Sequence, residues 1–334
     1  MTARQVLVVG GTGFLGRRIA EHFVADGDQV SVLSRGSGPA PPKGARHIAV
    51  DRRQPHALAA ALRDHAFDVV VDNVAFSGQD VADLVAVLGG RVGHWLLTSS
   101  AAVYANLQVR RPLREHEADL SLRLPPDAPD AFHTRLGQTY ANGKREAEAV
   151  LRDSGLRWTS LRAPVVVGAD DRTLRVWWFV QRVLDGGPIL VPDWGPGRLF
   201  QVVWSHDFAR ACVLAAGNSA AFGRAYNVAQ ADVFTAETWL LALAAALNRP
   251  TAFAHVPERD LATLGLLDYQ MPIAGRPFGH VLLDICAARA DLGFEPQPES
   301  TWLIQTARGC AANPPSRPSP GYAQRADEIR VAVA

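Results

Sequence analysis

Lysine is nearly absent from this 334-residue chain: of 34 basic side chains only Lys43 and Lys144 are lysines, and the rest are arginine. Any task that requires a compact ammonium rather than a planar guanidinium falls on one of two positions. Net charge is equally scarce, because 33 acidic residues leave a formal charge of +1. No general field therefore draws the chain toward nucleic acid or anionic lipid. Cysteine is rare as well. Cys212, Cys286 and Cys310 are odd in number, far apart and without a C-x-x-C pair, so neither a disulfide framework nor a metal site is expected. Long apolar runs are missing: the most apolar helical stretch, 239–247, is about half the ~20 residues of a membrane span. The start runs from Met1 straight into the strand-like 6–9 without the sections of a signal peptide, and a cytoplasmic location is the expectation. What the chain does have is 48% hydrophobic residues at a mean hydropathy of zero, enough for a sizeable core.

The first half alternates short β-branched runs with helical patterns. Residues 6–9, 29–33, 47–50, 68–71, 94–98 and 157–161 have strand character, and 13–26, 55–65, 79–88 and 138–153 have helical character. This alternation implies an α/β fold with a doubly wound parallel sheet. Between Ser100 and Tyr140 the spacing breaks, with Pro112, Pro125, Pro126 and Pro129 in a charged stretch. A loop of that length predicts a lid, with His116 and His133 as candidates on it. The second half is rich in Trp, Pro and Gly, with a strand-like 225–228 and a helix over 236–247. Four prolines after Ala311 predict an extended tail, ending in a short ordered piece.

Three features carry chemistry. Gly10-Gly11-Thr12-Gly13-Phe14-Leu15-Gly16 follows the first strand and opens the first helix. Glycines there permit a tight turn and let helix N-terminal amides approach a dinucleotide pyrophosphate. At the end of the second strand, where an acid would hold the ribose 2′-hydroxyl of NAD, the chain has Ser34-Arg35-Gly36. An arginine pairs with a 2′-phosphate, so NADP(H) is expected over NAD(H). Asp51, at the end of the third strand, is a candidate acceptor for the adenine amino group.

Tyr140 and Lys144 lie four apart, stacked on one helix face. An ammonium beside a phenol favours the phenolate and draws its pKa toward a working range, so Tyr140 becomes a candidate acid/base. With five tyrosines and two lysines the spacing arises by chance in only about 3% of such chains, so one of two lysines here is informative. After the fifth strand comes Thr98-Ser99-Ser100-Ala101-Ala102-Val103-Tyr104, where a hydroxyl at the C-terminal strand edge can orient a reacting oxygen. Trp177, Trp178, Phe179 and Trp194 either wall an apolar or aromatic substrate pocket or form a core.

Together, Gly10–Gly16, Thr98–Tyr104 and Tyr140-Ala141-Asn142-Gly143-Lys144 resemble the extended short-chain dehydrogenase/reductase family, the NAD-dependent epimerase/dehydratase group. The likeness covers roughly 4 to 300, including Leu292-Gly293-Phe294-Glu295-Pro296. The resemblance implies Ser100 as catalytic hydroxyl, Tyr140 as acid/base and Lys144 as the nicotinamide-ribose ligand. It also places Asn73, Ala75, Thr98 and Pro164 along the cofactor, and Tyr104 and Phe200 along the substrate. It implies a Rossmann-like domain over 1–165, rejoined by 199–230. A smaller substrate-binding domain follows over 166–198 and 231–310, with a Pro-rich tail over 311–334. A homodimer through helices 79–88 and 138–153 is the family tendency.

The departures are specific. Ser99-Ser100 replaces the Asp-Glu pair of dehydratases. In Gly195-Pro196-Gly197-Arg198-Leu199-Phe200-Gln201, Phe200 and Gln201 stand near the place of the diphosphate arginine of sugar-nucleotide epimerases, with Asp207 as the later family aspartate. The expected function is NADP(H)-dependent hydride transfer to or from a secondary alcohol or ketone of a small metabolite. The alternatives are an epimerase working by transient oxidation, and a non-catalytic cofactor-sensing or RNA-associated protein.

Overall fold

Each apolar run before residue 165 forms a strand and each amphipathic segment a helix. The structure is a computed structural model that describes residues 3–107, 109–125, 132–193, 198–264, 266 and 282–333. In chain order β1 (Gln5–Val9), α1 (Phe14–Ala25), β2 (Gln29–Ser34), β3 (Arg46–Ala49), α2 (Pro55–Leu62), β4 (Phe67–Asp72), α3 (Gly78–Leu88), β5 (Val92–Ser100), α4 (Phe132–Asp153) and β6 (Trp158–Ala163) make the first half. The second comprises β7 (Val165–Val167), α5 (Arg175–Asp185), β8 (Pro188–Pro192), β9 (Val202–Trp204), α6 (Ser205–Ala215), β10 (Arg224–Asn227), α7 (Ala236–Leu247), β11 (Ala252–Val256), α8 (Glu258–Thr263), α9 (Cys286–Leu292), α10 (Glu299–Ala312) and α11 (Arg325–Ala332).

Seven strands form one sheet in the order β10-β6-β5-β4-β1-β2-β3, and every pairing is parallel. This is a Rossmann-like, doubly wound α/β fold. Strand alternation divides the core. Val6 and Val8 point to one helical layer with Ile19, Phe23 and Phe208, whereas Leu7 and Val9 point to the other with Leu58, Leu84 and Leu151. Chain order reverses between β1 and β4, so the crevice at their C-terminal ends is where such a sheet takes its ligand.

A second core lies outside the sheet. Trp239 on α7 meets Phe179 of α5, Phe200, Phe234 and Trp302 of α10, with ring centroids 5.2–6.3 Å apart. Edge-to-face contacts of Trp239 with the three phenylalanines, and its stacking on Trp302, pack α5, α7 and α10 together.

One boundary is corrected: helix α4 begins at Phe132, not near 138, which shortens the intervening loop. Of that loop, residues 101–107 and 109–125 are tied to α4 and to the 282–284 segment. Arg145 donates to the Val103 carbonyl at 2.9 Å and to Asn106 at 3.0 Å, and Leu113 exchanges backbone hydrogen bonds with the Leu282–Asp284 segment at 2.8–2.9 Å. His116 sits in a surface concavity with Arg111, Arg114 and Asp284. Pro126, Pro129 and the side chain of His133 lie outside the described residues, as do Trp194 and 195–197. The Pro-rich tail ends in the ordered piece α11, which docks on α5 through a buried Arg182–Glu328 ion pair at 2.6 Å and Arg325–Asp185 at 2.9 Å.

Candidate active site

The glycine loop is built as its spacing demands. Gly10 has φ +82°, which favours glycine, and its N–H donates to the Leu33 carbonyl at 2.8 Å. A Cβ on Gly16 would come within 2.2 Å of the Gly10 carbonyl oxygen, so only glycine lets α1 start this close to the turn. Gly13 is the N-cap of α1 and no side chain caps the helix, nor does an acid occupy its first turn. That end is open to an anion. Gly11 packs against Val32, Phe14 against Gly168, and Leu15 joins the core beneath.

From this loop a cleft of about 420 Å³ runs along the sheet edge, lined by Gly10, Thr12 and Gly13, by Ser34 and Arg35, and by Asp51 among others. Ser34 bonds His47 at 2.8 Å, Arg35 is exposed, and one Asp51 carboxylate oxygen accepts the Arg53 amide at 3.0 Å. Arg53 and Arg172 also border the cleft, whereas Arg52 is committed to a two-pronged pair with Asp72 at 2.7 and 2.9 Å. Two buried polar atoms near its inner end, Asn73 Oδ1 and Thr98 Oγ1, have no hydrogen-bond partner in the protein. Such orphaned atoms are costly unless a ligand completes them. Glycine cradle, uncapped helix end and orphaned acceptors together suit a dinucleotide.

Beyond it stand the reacting groups. The Tyr140 phenol stands close enough to Ser100 for that side chain to favour its anion, and Ser100 Oγ accepts the Ala102 amide at 3.1 Å. Lys144 is buried one helical turn on and donates to the Ala75 and Thr98 carbonyls at 2.7 and 2.8 Å. An ammonium has three donors, so one remains after these two. Burial pulls its pKa down to about 8 against the pull of Asp72 and Glu148. Tyr140 moves the opposite way from the simple expectation: burial raises its pKa, opposed by the Ser100 hydrogen bond and the Arg175 charge. The ammonium stands to one side, 5.6 Å from the phenol ring centroid. Gly143 between the two allows α4 to touch the β4–α3 turn, since a Cβ there would fall 1.9 Å from the Phe76 carbonyl oxygen.

A buried polar chain supports the hydroxyl. Glu148, one turn beyond Lys144, accepts from Ser99 Oγ and pairs with Arg162 at 2.6 and 3.0 Å. Arg162 donates to the Tyr104 hydroxyl at 2.8 Å, which donates to Asn227 at 2.8 Å. These bonds fix the end of β5, and with it Ser100.

The glycine loop, the hydroxyl at the β5 edge and the Tyr-x-x-x-Lys helix have their counterpart in one family model, that of the NAD dependent epimerase/dehydratase family, which matches residues 6–229. The chain belongs to that family of NAD-dependent enzymes. Its relatives differ in trade. It is 26% identical over 239 residues to the chloroplast stem-loop binding protein of 41 kDa b of Arabidopsis thaliana, covering 67% of this chain and 58% of that one. It is 28% identical over 282 residues to a (4-alkanoyl-5-oxo-2,5-dihydrofuran-3-yl)methyl phosphate reductase of Streptomyces griseus, covering 80% and 83%. Among solved structures it is similar in fold to the UDP-glucose 4-epimerase of Thermus thermophilus in complex with NAD, with a TM-score of 0.68, 22% identity, and 91% and 98% covered.

Within this family frame the substrate-side expectations change. Trp177 and Trp178 are buried in the second core; Trp178 lies flat beneath the Arg182 guanidinium at 3.6 Å rather than on a pocket wall. Phe200 is 2% exposed between Phe234 and Trp239, and Tyr104 is 2% exposed with its hydroxyl fully engaged, burial pushing its pKa up to about 12. These four are structural. Pro164 sits in the link between β6 and β7. Two residues facing the site went unread. Arg175 opens α5, is held by Asp171 at 2.8 Å and is the cation whose charge reaches Tyr140; only the loss of apolar pattern before the Trp pair signals it. The other is Phe76, a bulky aromatic between a strand end and a Ser N-cap, where a small residue would serve the turn. Among the described residues no helix is long and apolar enough to cross a membrane, and no cluster of metal-ligating side chains occurs.

Proposed function

We propose that the protein is an NADP(H)-dependent oxidoreductase acting on a secondary alcohol or ketone of a small metabolite. The observation that carries this reading is the meeting of Ser100, Tyr140 and the buried Lys144, one helical turn from Tyr140, beside Phe76 of the glycine-loop cleft. When bound, the nicotinamide supplies or accepts the hydride. Ser100 holds the reacting oxygen, and Tyr140 gives it a proton in reduction or removes one in oxidation. The spare donor of Lys144 suits the nicotinamide ribose, while Ser100 and the Arg175 charge favour the phenolate against the effect of burial. At the far end Arg35, with no carboxylate at the end of β2, suits a 2′-phosphate.

Support for catalysis over the stem-loop binding named for the chloroplast relative comes from the retained hydroxyl, phenol and ammonium and from the +1 formal charge. Net turnover separates reductase from epimerase: incubation with ketones and with the dihydrofuranone phosphate named for the Streptomyces relative should consume NADPH, whereas an epimerase consumes none. For the cofactor, NADPH should bind more tightly than NADH. Arg35→Asp should erase roughly a tenfold preference, about what one charge-assisted hydrogen bond supplies; equal affinities in the unmodified protein would overturn the choice.

A further inference from the structure

Phe76 exposes 52% of its surface, and among the described exposed large apolar residues it lines the dinucleotide cleft. An aromatic ring left that open to water loses burial worth having, so its place calls for a reason. The backbone leaves it no alternative. Its N–H donates to Asp80 Oδ2 at 2.8 Å, and its carbonyl is pressed against Gly143 of α4, where a single added carbon would collide. With the backbone pinned there, the ring centroid lies 5.1 Å from the Lys144 ammonium and 6.3 Å from the Tyr140 ring, tilted 46°. The ring lines the same cleft as Arg35 and Asp51 while standing beside the Tyr140–Lys144 pair.

We propose that Phe76 is the platform for the nicotinamide-riboside half of the dinucleotide, packing its face on that half and excluding water from Lys144. The inference rests on the dinucleotide-dependent reading above. It assigns binding to two separate ends: the adenosine half to the β2 and β3 ends, and the nicotinamide half to Phe76 and Lys144. A rigid aromatic contributes such contact with little entropy to lose on binding.

The test uses full-length protein and needs no substrate. Affinities for NADPH and for 2′,5′-ADP, which lacks the nicotinamide half, are measured by fluorescence quenching and calorimetry, with NADH and ADP as the second pair. Phe76→Ala should weaken NADPH about tenfold or more and leave 2′,5′-ADP within about twofold, and Phe76→Tyr should restore NADPH. Because the ring is exposed, both variants should melt as the unmodified protein does. Unchanged NADPH affinity in Phe76→Ala would overturn the proposal, leaving the ring to the substrate, and so would equal losses for both ligands. If the unmodified protein binds neither dinucleotide nor its adenosine half, the functional reading falls first and this assignment with it.

Discussion

The sheet half and the aromatic half of this molecule solve the same packing problem with different materials. In the sheet, Val6–Val9 and Val69–Val71 are buried on both faces between helical layers, and an apolar run must be continuous to survive there. In the other half the strands β7 and β9 have only three residues each, and the core is made by Phe179, Phe200, Phe234, Trp239 and Trp302, which meet from places far apart in the chain. Aromatic enrichment, in other words, reports burial and not what is buried. Of the tryptophans that suggested a substrate pocket, Trp177 and Trp178 pack into the core shared by α5, α7 and α10, and α5 also carries Arg175, whose charge reaches Tyr140.

Substitutions in each half put this contrast at risk. In the sheet half, Glu148→Gln leaves the buried Arg162 without its carboxylate, and stability in urea should fall by about 3–5 kcal/mol. Activity should suffer beyond the unfolding, because Ser99 loses its anchor beside Ser100. In the aromatic half, Trp178→Leu should cost about 2–4 kcal/mol through a cavity under Arg182 while leaving KM unchanged in the folded fraction. A KM rise at constant stability would return Trp178 to the pocket wall and erase the contrast.

Lys144→Met probes the smallest and least intuitive effect. Turnover should collapse, yet the melting temperature at pH 7 should rise by roughly a few degrees, because a buried ammonium with a depressed pKa is charged at a cost. Between pH 8 and 10.5 the native protein has lost this proton while the unfolded chain keeps it, so unmodified stability rises with pH across that window. The advantage of the methionine variant should shrink over the same range. A lower melting temperature at pH 7 would mean that the two carbonyl contacts outweigh the desolvation.

Local spacing explains what was legible. The glycine loop and the Tyr140–Lys144 pair each depend on residues within one turn, Ser100 on one strand end, and the strand–helix rhythm gave the sheet. Long-range partners explain the rest. The four prolines suggested an extended tail ending in a short ordered piece, which is α11, but nothing near Arg182 announces that Glu328 docks it there. Nothing near Tyr104 announces Arg162 and Asn227, which turn a substrate candidate into a buried strut. The pKa of Tyr140 followed neighbours too: its i+4 lysine was visible, whereas the burial that dominates was not.

Everything proposed for the site turns on Tyr140 moving the proton that accompanies hydride transfer. The deciding measurement incubates 4-deuterated NADPH with a metabolite extract and either unmodified protein or Tyr140→Phe, with both shown to bind NADPH alike. Mass spectrometry should find a metabolite that gains one deuterium from the unmodified protein and does so about 10²–10⁴ times more slowly with the variant. Equal labelling by the two proteins would contradict the assignment.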